Sequence, residues 1–455
     1  MLGRRNGAAP GAGDAGFTSE IYAMTSEPQS GRAPWGLALL LLVANAMSFV
    51  DRMLLTLMVA PVRADLGISD TAISLLHGFA FAAFYAAAGL PLGKMADRGN
   101  RSRLMAAGVT AWSAMTMSCG FALNFGSLFL ARIGVAVGEA SLSPAAVSLI
   151  SERFARPLVS RAIAVFQSGI FIGMALAMLG GGAMLQWFEA NPATGPFEGF
   201  APWRMAFITI GAPGLLVAAL LLFVREPRRD GAGADRPPTS TRMALGYVRQ
   251  HARMYAGHFL AFTAITILAY GSLSWMATVL VRGHGVPTPV AGFKLGLALL
   301  IAGPLGVIAS GILADSFAKR RLASGPMLTA LVSVLLLAVA TPTFALAPDL
   351  QFALAAAFLL AFAQSFPYGI ASASLAVVTP DAYRGQVTAL YLMISNLFGL
   401  TLGPLAVALM TDRVFMNDGS VGLSLALLPL ATTPLALAGL ALCWKPYREA
   451  WIAAR

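Results

Sequence analysis

The sequence predicts an all-α membrane protein of twelve transmembrane helices, arranged as two pseudo-symmetric six-helix bundles. Three observations lead to this fold class. Of the 455 residues, 58% are hydrophobic and only 11% are charged, whereas a soluble domain carries roughly 25% charged residues. Twelve apolar runs follow one another along the chain, and a short motif occurs once in each half. Such a composition would aggregate in water, so lipid is the expected solvent.

The apolar runs have the length that a membrane crossing requires, which is about 20 helical residues for a hydrocarbon core of ~30 Å. They lie at 35–60, 71–95, 103–124, 127–151, 159–185, 204–224, 257–281, 290–314, 324–346, 350–379, 383–411 and 421–444. The predicted organisation is a disordered cytoplasmic tail (1–34), an N-terminal bundle (35–224), a cytoplasmic inter-bundle loop (225–256), a C-terminal bundle (257–444) and a cytoplasmic tail (445–455). Within the loop, Met243–Tyr255 is expected to form an amphipathic surface helix.

The distribution of basic residues predicts the orientation of these spans. With both termini in the cytoplasm, 24 of the 31 lysine and arginine residues fall on the cytoplasmic side and five on the other. Positive charge concentrates on cytoplasmic loops, so this orientation is favoured. Arginine far outnumbers lysine, which is typical of high-GC bacteria, and the expected location is the inner (plasma) membrane. The basic residues are scattered between apolar runs, so the net charge of +11 does not indicate nucleic-acid binding.

Catalytic, metal-binding and cofactor-binding patterns are missing from the sequence. No nucleotide-binding loop of the GxxxxGK[ST] type occurs. Cys119 and Cys443 sit in separate apolar runs, and the four histidines lack metal-ligand spacing. We therefore expect neither an enzyme nor a metal or cofactor site.

A short motif closes the second span and is repeated at the end of the eighth. The first copy runs from Gly93 to Asp97 and the second from Gly311 to Asp315, and both read Gly-x-x-Ala-Asp before a basic cluster. The two copies are offset by 218 residues. Parallel six-helix repeats of this kind are a known transporter architecture.

The first copy continues as Arg98-Gly-Asn100-Arg101-Ser-Arg103 and resembles the signature loop of the major facilitator superfamily. The family usually has glycine where Asn100 stands. The resemblance implies the major facilitator fold, with Asp97 and Arg101 forming a latch on the cytoplasmic gate and the second copy as its weaker mirror image. Asp97 would also face the positive N-terminal end of the eleventh helix. The alternative is that Asp97 only balances its basic loop.

A narrower resemblance, to the spinster branch of that superfamily, rests on several further segments. They are Asn45 to Asp51-Arg52, Asp97 to Arg101, Arg132 to Ser141, Gly271 to Trp275, Val378-Thr-Pro380 and Ser395 to Gly399. Spinster proteins export amphipathic lipids with one chain and a polar head, such as sphingosine phosphate or lysophospholipids. The resemblance implies a substrate of this class.

Four ionisable residues lie deep within apolar runs of the first half: Asp51, Arg52, Arg132 and Glu139. Each costs roughly 2.5–3.5 kcal/mol at a helix centre, and their charges sum to zero. Asp51 and Arg52 point about 100° apart, so pairing across helices is more natural than pairing between neighbours. Arg52 with Glu139 and Arg132 with Asp51 both remain open.

Proton coupling is the functional hypothesis for these four residues. Burial favours the protonated form of a carboxyl group, and a nearby arginine opposes that effect. Asp51 and Glu139 would carry the proton, while Arg52 and Arg132 would act as charge partners or bind an anionic headgroup. The alternative is a static ion-pair network that joins the first helix to the fourth.

Polar side chains within the apolar runs are candidates for lining a substrate cavity. The candidates are Gln167, Tyr85, Tyr270, Gln364, Tyr391 and Asn396, with Tyr368 and His77 as further members. Gln167 precedes Gly169-x-x-x-Gly173, which predicts a close-packing helix face. His77 lies toward the outer end of its span and is expected to be solvated.

Three functions are compatible with the sequence. The first is a proton-driven exporter of single-chain lipids. The second is a proton-coupled drug efflux antiporter or polar-solute transporter, and the third is a non-transporting membrane receptor, against which the four buried charges argue. The expected partners are the bilayer, a small amphipathic substrate and protons, with the chain acting as a monomer.

Overall fold

The computed structural model describes residues 34–226, 241–320 and 324–453, without the side chains of Asp97, Arg98, Arg156, Thr241 and Ala318. The predicted tail before residue 34 and residues 227–240 of the predicted loop therefore lie outside the described residues.

Twelve long helical segments form two bundles of six. The first bundle contains α1 (Trp35–Leu57), α2 (Asp70–Ala96), α3 (Arg101–Gly120), α4 (Phe125–Arg153), α5 (Arg156–Ala190) and α6 (Pro202–Leu222). The second contains α7 (Ala252–His284), α8 (Thr288–Lys319), α9 (Gly325–Ala345), α10 (Leu350–Val378), α11 (Asp381–Phe415) and α12 (Val421–Ala453). All except α3 are long and apolar enough to cross a membrane. The serine, threonine and arginine residues of α3 lower its hydropathy.

Two helices that the apolar pattern predicts as continuous are interrupted. In α4, the helix Phe125–Glu139 is separated from Leu142–Arg153 by a two-residue turn. In α10, a 3-10 turn at Phe366–Gly369 contains a proline near its start. Proline cannot donate the backbone hydrogen bond that a regular helix needs, which accounts for the break in α10.

The two polar segments around the second bundle are more helical than predicted. The surface helix is Thr241–Gln250 rather than Met243–Tyr255, because α7 already begins at Ala252. Helix α12 continues to Ala453, so the segment predicted as a C-terminal tail is helical up to that residue.

Side-chain caps fix the starts of α3 and α4. The Asn100 side chain accepts a hydrogen bond from the backbone N–H of Arg103 at 2.8 Å. Asn124 and Ser127 form a reciprocal capping box at the start of α4. An asparagine cap satisfies a backbone N–H that would otherwise lack a partner. Asn100 therefore has a structural reason to stand where the family usually has glycine.

Within the first bundle, α5 packs on α1 through the predicted pair of glycines. A Cβ atom on Gly169 would lie 2.7 Å from the backbone oxygen of Leu42, and one on Gly173 would lie 2.3 Å from that of Ala46. The predicted close-packing face is thus confirmed, and it fixes the position of the helix that carries Asp51 and Arg52.

We expect Gly173→Ala to destabilise the protein by about 1–3 kcal/mol, because the added methyl group forces α1 and α5 apart. Gly180→Ala is the matched control on the same helix, since a Cβ atom there would meet nothing within 4 Å. The control should be neutral or stabilising, because alanine is favoured over glycine in a helix by about 1 kcal/mol. Thermal unfolding in detergent measures both. Equal melting temperatures would contradict this packing.

A π-helical turn at Leu75–Phe79 marks the contact of α2 with the second bundle. A Cβ atom on Gly78 would lie 2.1 Å from the backbone oxygen of Leu400 in α11. Only glycine permits this approach of the two backbones. The α2–α11 contact is at the end of the bundle opposite to the loops that carry most basic residues.

Candidate functional site

An ion pair between α1 and α4 lies at the centre of the first bundle. The Arg52 guanidinium donates from Nη2 to Glu139 Oε2 at 2.8 Å, and Ser48 Oγ donates to the same oxygen at 2.7 Å. Glu139 is 2% exposed and Arg52 is 9% exposed. Of the two pairings that the sequence leaves open, the structure shows Arg52 with Glu139.

Aromatic rings surround the Arg52 guanidinium. Its central carbon lies 4.5 Å from the ring centre of Phe49, 4.2 Å from that of Phe81 and 5.5 Å from that of Tyr85. A cation over an aromatic face is attracted by the ring quadrupole, more strongly when water is excluded. Arg52 is therefore held in place by its rings as well as by Glu139, and Tyr85 belongs to this group.

Asp51 and Arg132 meet in a different way from the predicted pair. Arg132 Nη1 donates to the backbone oxygen of Asp51 at 3.1 Å. Both carboxylate oxygens of Asp51 are buried without a hydrogen-bond partner among the described residues, as are Nε and Nη2 of Arg132. Arg132 therefore contacts the backbone of Asp51, but it forms no hydrogen bond with the Asp51 carboxylate.

The expectation that His77 is solvated is wrong. Its side chain is 3% exposed, and its two ring nitrogens lie 3.4 and 3.3 Å from Thr56 Oγ1. The π-turn that carries His77 is pressed between α1 and α11, which explains its burial. The apolar pattern placed the residue at the correct end of its span but could not show this packing.

The second bundle contributes a pocket bounded by α7, α10 and α11, which encloses about 520 Å³ of empty space, part of it open to the outside. The predicted cavity residues Tyr270, Gln364, Tyr391 and Asn396 all line it, together with Tyr368. A smaller adjoining pocket extends it to Met174 of α5 in the first bundle.

Three predicted cavity residues, His77, Tyr85 and Gln167, do not line these pockets. The Gln167 side chain is exposed. It lies one helical turn before Phe171, whose ring centre is 6.2 Å from that of Tyr368, so it is on the face of α5 directed toward the second bundle. Ser48, Phe49 and Phe81 belong to the site and were missed. Ser48 lies one turn before Arg52, a spacing that could have suggested it.

The ends of the two bundles opposite to the basic loops are joined by ion pairs. Asp70, at the start of α2, accepts two hydrogen bonds from Arg282 of α7, at 2.6 and 2.8 Å. Arg63 lies 2.9 Å from Asp418 and 3.2 Å from Asp70. Thr71 donates twice to Asp412, at 2.7 and 2.6 Å. These three inter-bundle connections form what we call the outer latch.

Charge balance within the outer latch is nearly complete. Asp70, Asp412 and Asp418 lie close enough together to suggest a cation site, but Arg63, Arg282 and the Thr71 donors already face their oxygens. Burial alone would lower the pKa of Arg63, but its hydrogen bond to Asp418 and the neighbouring carboxylates raise that pKa above its ordinary value. The cluster therefore functions as a clamp between bundles.

We expect Asp70→Asn to open the outer latch, because Arg282 and Arg63 lose a fully buried anion. A loss of about 2 kcal/mol corresponds to about 30-fold in the ratio of the two conformations. Spin labels at Leu123 and Leu346, both exposed at this end, should move apart. Asp65→Asn is the control, because Asp65 pairs with Arg204 inside the first bundle. Unchanged distances in Asp70→Asn would contradict the latch.

At the basic end, the predicted gate motif is only partly described. Arg101 is buried and pairs with Glu152 and, at 2.6 Å, with Glu226, two partners that the sequence did not predict. The side chains of Asp97 and Arg98 lie outside the described residues, and the predicted latch stays a prediction. Arg103 is exposed.

Three positions of the repeated motif, Gly93, Gly311 and Asp315, are open at the basic end. A Cβ atom on Gly93 or Gly311 would meet nothing within 4 Å. Asp315 is exposed and forms no ion pair among the described residues. The bundles are thus clamped at the opposite end, while these positions at the basic end are open.

Comparison with known proteins identifies the family. A family model described as the Major Facilitator Superfamily matches residues 41–404. The chain belongs to the Major Facilitator Superfamily. It is therefore a multi-pass membrane transporter of the secondary type and not an enzyme, as the sequence predicts.

Individual relatives of this superfamily member include efflux and spinster proteins. The chain is 29% identical to an MFS-type efflux pump of Mycolicibacterium smegmatis, over 91% of this chain and 92% of that protein. It is 27% identical to the human protein spinster homolog 1, over 82% of this chain and 72% of that one.

Among solved structures, a bacterial homologue of the human lysosomal transporter spinster, in an inward-facing and unoccupied conformation, matches with a TM-score of 0.78. That match has 25% identity and covers 93% of this chain and 99% of that one. The predicted resemblance to the spinster branch is confirmed.

Proposed function

We propose that this transporter couples substrate movement to protons by alternating access. The observation that carries the proposal is the Arg52–Glu139 pair, buried in the first bundle with the partnerless Asp51 carboxyl group on the same helix. A buried charge without a partner is costly, and a carboxylate removes that cost by taking up a proton. Asp51 is a carboxyl group of this kind, and Glu139 is a second buried carboxyl group whose charge is balanced by Arg52. Together they suit proton binding and release.

Competition for Arg52 supplies the coupling. Glu139 holds the guanidinium as long as its carboxyl group is ionised. A proton on Glu139 weakens that pair and leaves Arg52 free for an anionic group of the substrate. Binding of the anionic group in turn favours protonated Glu139, because coupling between two sites is reciprocal.

We assign the described conformation to the inward-facing state of an alternating-access cycle. The outer latch closes one end, and the repeat glycines at the basic end are unpacked. With the basic end in the cytoplasm, this arrangement is inward-facing. Opening the latch and packing the basic end would give the outward-facing state.

The proposed orientation predicts that the loop near Asp235 and both termini are cytoplasmic. A cysteine introduced beside Asp235 should be protected from an impermeant maleimide in intact cells and labelled after the cells are opened. Background labelling should be low, because Cys119 and Cys443 are buried. A cysteine at the exposed Leu123 should be labelled from outside as the control, and the reverse pattern would overturn this orientation.

Amphipathic single-chain lipids are the substrate class that we propose first. Support comes from the spinster relatives, one of which is named a sphingosine-1-phosphate transporter in Xenopus tropicalis and is 27% identical over 279 residues. The aromatic surroundings of Arg52 would suit an anionic headgroup attached to an apolar chain. Drug efflux is the second candidate, because the Mycolicibacterium smegmatis efflux pump matches nearly the whole chain.

Proteoliposomes test the proposal. Purified protein is reconstituted, a pH gradient is imposed, and fluorescent lysophospholipid and a cationic dye are offered in separate experiments. We expect lysophospholipid movement that stops when an ionophore collapses the gradient. Gradient-driven movement of the dye alone would favour drug efflux. Substrate movement at the same rate with and without the pH gradient would overturn proton coupling.

A further inference from the structure

Gln364 of α10 is a buried acceptor without a partner. Its side chain is 5% exposed, and its Oε1 atom accepts no hydrogen bond among the described residues. The residue lines both pockets at the inner wall of the second bundle. Leaving a buried acceptor unpaired costs free energy that a donor from a ligand would recover.

The surroundings of Gln364 offer hydroxyl and amide groups on a mainly apolar lining, and they carry no charge. Among the described residues that line the larger pocket, none is acidic or basic. Its polar groups include those of Thr266, Tyr270, Tyr368, Tyr391, Ser395 and Asn396. A full charge placed here would have no counterion, which is unfavourable in a low-dielectric site.

The pocket faces the first bundle, which carries Arg52. The Tyr368 hydroxyl donates to that of Tyr270 at 3.4 Å, and the ring centre of Tyr368 lies 6.2 Å from that of Phe171 on α5. The adjoining smaller pocket reaches Met174 of the same helix. A ligand in this pocket therefore lies between the two bundles, on the side from which the first bundle presents its residues.

We propose that the pocket between α7, α10 and α11 binds an uncharged hydrogen-bond donor of the substrate, a hydroxyl or amide group, through Gln364. The anionic group of the same molecule binds Arg52. This inference rests on the proposed transport function and narrows its substrate to a hydroxylated or amide-bearing organic anion with an apolar chain.

A matched set of three single-chain ligands tests the inference. Hexadecyl phosphoglycerol and hexadecyl propyl phosphate share chain and phosphate but differ by two hydroxyl groups, and hexadecylphosphocholine carries a quaternary ammonium group instead. Their binding to the protein in nanodiscs is measured by competition with a fluorescent lysophospholipid, without a proton gradient. We expect the glycerol compound to bind about tenfold more tightly than the propyl compound.

Gln364→Leu should reduce that preference to about twofold or less, because the acceptor is gone. Gln351→Leu is the matched control, since Gln351 is exposed at the other end of α10, and it should keep the preference. The inference is overturned by equal binding of the first two ligands, by a preference that survives in Gln364→Leu, by strongest binding of the choline compound, or by no binding of any.

The outcomes separate this inference from the proposed function. If the protein shows gradient-driven transport but no hydroxyl preference, only the proposed role of Gln364 is contradicted. If it shows a Gln364-dependent preference but no gradient-driven transport, only proton coupling is contradicted.

Discussion

Glu139→Gln is expected to abolish transport driven by a proton gradient while leaving the protein folded. Glutamine keeps the size of the side chain and can still accept hydrogen bonds from Ser48 and Arg52, which lie 2.7 and 2.8 Å from Glu139 Oε2. It cannot bind or release a proton. The driven component should therefore be lost completely, whereas exchange of substrate down its own gradient should persist.

Proteoliposome transport with and without a pH gradient measures this loss. Asp51→Asn should reduce the driven component as well, because Asp51 is the second buried carboxyl group of the site. Glu189→Gln, at an exposed position near the end of α5, is the matched control and should behave as wild type. Full gradient-driven transport in the Glu139→Gln, Asp51→Asn double variant would reject proton coupling through these residues.

The sequence predicted the fold and the members of the charged site with good accuracy, for identifiable reasons. An ionisable residue inside an apolar run is conspicuous because lipid offers it no solvation. That signal found Asp51, Arg52, Arg132 and Glu139 without any structure. It could not choose the pairing, because both cross-helix pairs have compatible positions along α1 and α4.

Contacts between segments that are distant in the sequence could not be predicted from the sequence. Asp70 and Arg282 are 212 residues apart, and Arg63 and Asp418 are 355 apart. Each lies outside the predicted apolar runs, at the membrane edge, where a charge needs no special explanation. Only the packing of the two bundles shows that these charges form a latch.

Local irregularities were missed for a related reason. The π-turn at Leu75–Phe79 and the break in α4 after Glu139 leave the apolar pattern unchanged. Both occur beside the site, and helical irregularities of this kind are frequent at functional positions. His77 was misjudged because its burial depends on that turn.

A double-variant cycle on Arg52 and Glu139 should separate proton coupling from a static ion pair. Arg52→Met leaves the buried Glu139 with Ser48 as its remaining partner, and breaking a buried pair in this way costs about 3–5 kcal/mol. Glu139→Gln should cost less, because Phe49 and Phe81 still hold the guanidinium. The double variant leaves no uncompensated charge, so it should be more stable than Arg52→Met alone.

Stability and transport should then diverge. Thermal unfolding in nanodiscs should give a coupling energy of about 2 kcal/mol for this pair, against less than about 1 kcal/mol for the exposed-end control pair Arg204–Asp65. Gradient-driven transport should be absent in both single variants and remain absent in the double variant, because neither the proton site nor the anion site has been restored. If the double variant recovers transport along with stability, Arg52 and Glu139 serve only to join α1 to α4, and the static ion-pair hypothesis replaces proton coupling.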